Sequence, residues 1–270
     1  MNIPLNLFEV ALIYAAFSLL LAAYIREGMR LWKEGGAVRS EGFTTTDLFA
    51  AITLASYFVL VVTAGAKAKA VAPIKIDRVL PNALFVLMIA IGVVGFLVMR
   101  GANVVETFGL RRVSALRAVG LALFFYFGAM PIVLVINQIT LKLMGGGAEE
   151  QELVLLFQHE TSAGNYSGIA ILVAAGVLVA PVAEEILFRG FLYGVLKRYL
   201  GGIGAALLTA MLFAAIHMNL TSLPGLFVLA LGLIFAYERS GSIFVPIGMH
   251  ALFNSSTFAL LYVTAQAKHP

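Results

Sequence analysis

Eight times along its 270 residues this chain runs for about 20 positions with scarcely a charge, long enough as a helix to cross a bilayer core of roughly 30 Å. The runs lie at roughly 7–25, 46–65, 80–99, 117–140, 168–188, 203–219, 223–238 and 243–265. They predict an all-α fold: a polytopic bundle of about eight transmembrane helices. With 61% hydrophobic and 12% charged residues and a mean hydropathy of +0.98, the chain lies far from soluble domains, where about a quarter of residues are charged. It reads as an integral, multi-pass membrane protein, of the plasma membrane if the source is prokaryotic.

The first run lacks a basic leader and a small-residue cleavage site, so it reads as a span and not as a cleaved signal. The absence of cysteine removes disulfides, thiolate nucleophiles and thiolate-bound zinc. The net charge of +4 could suggest nucleic acid in a soluble protein. Here the basic residues sit in loops beside spans, which argues for positive-inside topology, contact with anionic membrane lipids and no nucleic-acid partner. Arg26, Arg30, Lys33 and Arg39 follow the first run, Arg100, Arg111, Arg112 and Arg117 separate the third and fourth, and Lys197 and Arg198 follow the fifth. Eight spans put these loops on one side, and the acidic stretch from about 142 to 166 with both termini on the other. Lys67, Lys69, Lys75 and Arg78 run against that pattern.

No connection exceeds about 25 residues or carries a core-forming periodicity, so residues 1–270 form a single membrane domain. Gly145-Gly146-Gly147 opens the most loop-like stretch, and Leu153–Phe157 within it reads as a short interfacial helix. The spans within about 1–140 hold few interior ionisable groups. The segment from about 165 to 260 holds nearly all of them, so any chemistry belongs to that half.

Ionisable groups in lipid are costly, so they mark a functional site by default. The run from Ala183 to Gly190 carries Glu184, Glu185 and Arg189. Residues four apart share a helix face, so Glu185 and Arg189 can pair while Glu184, about 100° round, points elsewhere. A paired Glu185 would leave Glu184 free to take a proton from water. Pro181 cannot donate to the preceding turn and predicts a kink or restart just before the acids. Phe213 and His217 share a second face, and His250 and Asn254 a third, where Asn254 could also simply join two helices by a hydrogen bond. Glutamate, two histidines and asparagine supply a base, a proton shuttle and neutral donors for an oxyanion, the set that peptide hydrolysis needs. Glu184, His217 and His250 could alternatively provide three ligands to a divalent metal such as zinc. Gly201-Gly202-Ile203-Gly204 lacks a Walker lysine and reads as a turn with helix packing.

Glu184-Glu185 with Arg189, Phe213 with His217, and His250 with Asn254 together resemble the motifs of the CPBP family, the CAAX proteases and bacteriocin-processing (Abi-type) enzymes. The likeness covers about residues 165–260 and says little of the first 140. It implies an eight-helix intramembrane endopeptidase in which Glu184 and His217 activate water. His250 and Asn254 would hold the oxyanion, with Glu185, Arg189 and Phe213 supporting the site. Members have been described both as glutamate-type and as metal-dependent proteases. An arginine beside the acids and an asparagine, an unusual zinc ligand, favour the metal-independent form without a cofactor. The expected substrate is a membrane-associated or prenylated (CAAX-type) peptide or protein. Two readings stand beside it: a non-catalytic membrane protein that binds peptide or lipid in the same pocket, as an immunity or scaffold protein would, and a transporter or proton relay. The lack of an inverted repeat weighs against the last.

Overall fold

The computed structural model describes residues 7–67, 75–144 and 152–268, and these are helical with no strand among them. The elements are α1 (Leu7–Glu34), α2 (Thr45–Lys67), α3 (Ile76–Met99), the short α4 (Val104–Thr107), α5 (Ala115–Leu143), α6 (Glu152–Ser162), α7 (Tyr166–Ala215), α8 (Leu223–Ser240) and α9 (Phe244–Lys268). Six of them, α2, α3, α5, α7, α8 and α9, are long and apolar enough to cross a membrane. Every run singled out by hydropathy falls on a helix, and the expected interfacial helix is α6. The triglycine, Lys69, Glu149 and Glu150 lie outside the described residues.

Two of the expected spans, 168–188 and 203–219, share α7, whose 50 residues break once. Gly201 takes φ 72°, ψ 170°, a backbone region open to glycine, and reverses the helix between its 166–200 and 202–215 parts. The first part is about 52 Å long at 1.5 Å per residue, so it must tilt in or protrude from the bilayer.

Helices 7 and 8 form the centre. Half of the most apolar window of α8 and 44% of that of α7 are buried, against 11% in α2 and α3. The first part of α7 packs on α3 and α9, its second part on α2 and α8, and α5 on both α8 and α9. Many of the most deeply buried positions are alanines, among them Ala90, Ala183, Ala205, Ala214, Ala230 and Ala236. Lipid is as apolar as leucine, so helices gain by close approach, and small residues allow it. Many large apolar side chains point outward, Leu19, Leu60, Met99 and Leu116 among them, while aromatic rings such as Phe125, Phe188 and Phe213 fill the interior.

The loops rich in arginine meet at one end of the bundle. Ala37 donates its amide to the Glu238 carbonyl, and Ile243 to that of Phe108. Arg100 pairs with Asp47 and bonds to the Gly42 carbonyl, and Arg198 donates to the carbonyl of Glu41. Beneath them, buried Glu238 accepts from the Tyr193 hydroxyl and Lys197 Nζ through Oε1, and from the Val38 amide through Oε2 at 3.2 Å. Tyr193 and Lys197 stand one turn apart on α7, so this carboxylate ties α7 and α8 to the connection after α1. Replacing Glu238 with alanine strands three donors and should lower unfolding stability by about 3 kcal/mol. Arg30→Ala, which removes an exposed pair with Glu27, should change it by less than about 1 kcal/mol. Thermal unfolding in one detergent compares the two.

Candidate active site

The first part of α7 does not run as a uniform α-helix. Residues Ala174–Val179 and Ile186–Tyr193 are π-helical, and a six-residue α-helical stretch, Ala180–Glu185, stands between them and carries both acids. Single π turns occur mostly as bulges at functional sites. The first has a local cause. The Ala180 amide bonds to the Ala175 carbonyl five residues back, so the next amide in that ladder should reach Gly176, but residue 181 is proline and has none. Asn254 of α9 supplies the missing donor, its Nδ2 lying 2.7 Å from the Gly176 oxygen. Gly176 is needed for the approach, because a Cβ there would come within 2.8 Å of the Phe258 ring.

One turn on, Glu185 is fully buried and its Oε1 accepts two hydrogen bonds, from Arg189 Nη1 at 3.0 Å and from His250 Nδ1 at 2.9 Å. The pair expected from the four-residue spacing is therefore present, and a histidine from α9 joins it. Arg189, also fully buried, sends Nη2 to the Ala230 carbonyl of α8 at 3.3 Å, and its guanidinium carbon lies 4.5 Å from the centre of the Phe213 ring. The arginine thus spends its charge on a carboxylate, a carbonyl and a π-face at once.

Glu184 faces a different way. Its side chain is 18% exposed, and its Oε2 stands 3.9 Å from His250 Nε2, beyond hydrogen-bond length. That oxygen and Glu185 Oε2 have no hydrogen-bond partner among the described residues. One carboxylate is consumed by structure and its neighbour is left with an open acceptor.

The second motif meets the same cluster. His217 lies just past the end of α7, and its Nδ1 is 2.8 Å from the Phe213 carbonyl. A carbonyl only accepts, so Nδ1 carries the proton and a neutral ring keeps its lone pair on Nε2. The Phe213 ring touches both imidazoles, with centroids 5.0 Å from His217 and 5.8 Å from His250. Phe213 is therefore the point at which Arg189, His217 and His250 gather. The sequence-predicted residues converge as a group, except that Asn254 is seen bonding to the helix backbone. The parts that sequence reasoning missed are backbone carbonyls, those of Ala230, Gly176 and Phe213, of which only Gly176 left a trace, five residues before Pro181.

Both histidines have Nδ1 committed and Nε2 remaining, the orientation a metal-binding histidine takes. Among the described residues, however, no three His, Asp or Glu side chains are grouped closely enough to hold an ion. In this arrangement Glu184, His217 and His250 do not fit a three-ligand zinc site.

Comparison with known proteins bears on this region alone. Residues 166–256 match the family described as type II CAAX prenyl endopeptidase Rce1-like. The chain is 32% identical over 89 residues to the "Putative membrane peptidase YdiL" of Bacillus subtilis, a stretch covering 32% of this chain and 36% of that protein. It is 37% identical over 90 residues to an "Uncharacterized 24.3 kDa protein" of Escherichia coli, covering 32% of this chain and 41% of the relative. The chain thus spans well under two thirds of either relative. No solved structure matches it. The motif-bearing segment is thus similar to the CAAX endopeptidase family that its residues resemble.

The geometry separates two neighbouring acids by their effect on stability. Arg189→Met leaves Glu185 as a buried, unneutralised charge and should destabilise the protein by about 3–5 kcal/mol. Glu184→Gln, at a partly exposed position with no bond to lose, should shift stability by less than about 1 kcal/mol. Chemical unfolding in a fixed micelle composition measures both.

Proposed function

We propose that this protein is an intramembrane endopeptidase, and that Glu184 is the base that activates the attacking water. The observation that carries the reading is the unequal treatment of the two acids. Glu185 is held by Arg189 and His250, whereas Glu184 keeps an unpartnered oxygen 3.9 Å from His250 Nε2. The family match of residues 166–256 supports the reaction class.

In the proposed reaction, Glu184 accepts a proton from water while the oxygen adds to the carbonyl carbon of the scissile peptide bond. His217, with Nε2 unprotonated, orients that water and carries a proton to the departing amine. The oxygen that becomes negative needs donors already in place. Asn254 Nδ2 has two hydrogens, of which Gly176 takes one, so the other remains for the oxyanion. His250 can assist from Nε2 when both ring nitrogens carry protons. Glu184 passes that proton through His217 Nε2 to the nitrogen, the carbon–nitrogen bond breaks and the amine leaves, and the new carboxylic acid loses its own proton to the amine or to water, which returns Glu184 and His217 to their starting forms. Each step needs only side chains of this chain and water. The substrate class that suits a site within a membrane-spanning bundle is a membrane-associated peptide, and the family description extends this to prenylated CAAX-type peptides.

On a peptide cut by the wild type, Glu184→Gln should lower kcat by about 10²–10⁴-fold with KM little changed, the usual size of general-base catalysis. Asn254→Ala should lower kcat by about 10²-fold and also cost roughly 1 kcal/mol of stability, because it removes both an oxyanion donor and the bond to Gly176. Unchanged turnover in Glu184→Gln would remove the assignment. Equal binding of peptide by wild type and variant without hydrolysis by either would favour a binding protein instead.

A further inference from the structure

At the basic end of the bundle, a cavity of about 450 Å³ lies between the connection after α1 and the α3–α5 connection, lined by Arg39, Asn103, Val105, Glu106, Arg111 and Arg112. Three guanidinium groups against one carboxylate leave it with a formal charge of +2. Most basic groups at this end are already engaged. Arg26, Arg30 and Arg239 pair with acids of α1, Arg100 with Asp47, Lys197 with Glu238, and Arg198 with a carbonyl. Within the cavity, Arg112 is fixed by donating to the Ala37 carbonyl at 3.0 Å, whereas Arg39 and Arg111 make no ion pair or side-chain hydrogen bond among the described residues. Asn103 uses its oxygen to cap α4, accepting from the Glu106 amide at 3.3 Å, which leaves its amide nitrogen as a donor at the cavity wall. The volume falls within the range of small-ligand sites, and planar guanidinium forks suit phosphate oxygens. The cavity sits where α3 ends and α5 begins. Met99 and Leu116, 90% and 84% exposed, flank those helix ends as lipid-facing side chains, so this level of the protein is that of the headgroups.

We infer that this cavity binds a phosphoryl anion, and that its source is the headgroup of an anionic phospholipid. Two free arginines, an anchored third and a neutral donor clasp the phosphate, and the acyl chains run down past Met99 and Leu116. The site is separate from the glutamate and histidine cluster, and its existence does not depend on the protein's being a peptidase.

Native mass spectrometry of the full chain, released from micelles containing equal amounts of phosphatidylglycerol and phosphatidylcholine, tests this. Wild type should retain phosphatidylglycerol in preference. The double substitution Arg39→Gln/Arg111→Gln should reduce that retention roughly tenfold. Lys33→Gln/Arg117→Gln removes the same charge from the same end without touching the cavity and should leave retention unchanged. Equal loss in the two double variants, or no loss in either, would overturn the proposal, since surface charge alone predicts the first. The single exposed-loop change Arg111→Gln carries the same comparison, with a smaller loss, if the double variant does not fold. Excess inorganic phosphate separates the sources: a lipid adduct that survives it assigns the site to headgroups, and one displaced by it assigns the site to free phosphate.

Discussion

Two adjacent glutamates in the middle of an apolar helix bundle set the terms for everything around them. Taking an ionised carboxylate out of water costs several kcal/mol even after the protein relaxes, and two side by side also repel. Arg189 answers that cost for one of them. It is fully buried, bonded to Glu185 and Ala230 and laid over Phe213, so its position fixes α7, α8 and the ring around which both histidines stand. Without that guanidinium, Glu185 would be a buried carboxylate with no countercharge, and the acceptor that orients His250 would lose its anchor. The open oxygen of Glu184 is useful because its neighbour's charge has already been matched.

A second constraint comes from Pro181. By withholding an amide from a π-helical turn, it frees the Gly176 carbonyl, and α9 brings Asn254 to fill the gap. The last helix is thereby joined to the acid-bearing helix twice, by Asn254 at Gly176 and by His250 at Glu185, 78 and 65 residues apart in sequence. The two motif residues of α9 therefore hold the fold.

Much of this was legible in the chain. Helix placement followed from hydropathy, because apolar length is what a bilayer selects, although of the eight expected spans two share α7 and the first, on α1, is not among the six helices long and apolar enough to cross. The Glu185–Arg189 pair followed from the four-residue helical repeat. The reversal at Gly201 and the interfacial helix after the triglycine were also marked by residue type. What could not be read was the π-helical winding, since Pro181 predicts a kink without fixing which carbonyl is freed, nor that a distant asparagine reaches it. The partners of Arg189 and His217 were equally hidden, because Ala230 and Phe213 act through backbone oxygens that every residue possesses. His250 was read as an oxyanion donor or a metal ligand. Its bond to Glu185 arises from the packing of α9 on α7, which no local pattern records.

The basic end and the acid cluster are built on different economies. At the first, arginines hold loops together through carbonyls and acids; at the second, one arginine is buried beside one of two acids. The claim that the other acid serves peptide hydrolysis is tested most directly by mass-spectrometric detection of cleavage in a pool of prenylated and unmodified peptides, with purified wild type and Glu184→Gln side by side in lipid. The account predicts new peptide termini with wild type only, from two proteins of matching unfolding temperature. Cleavage by both at equal rates, or by neither when both are folded, would contradict it.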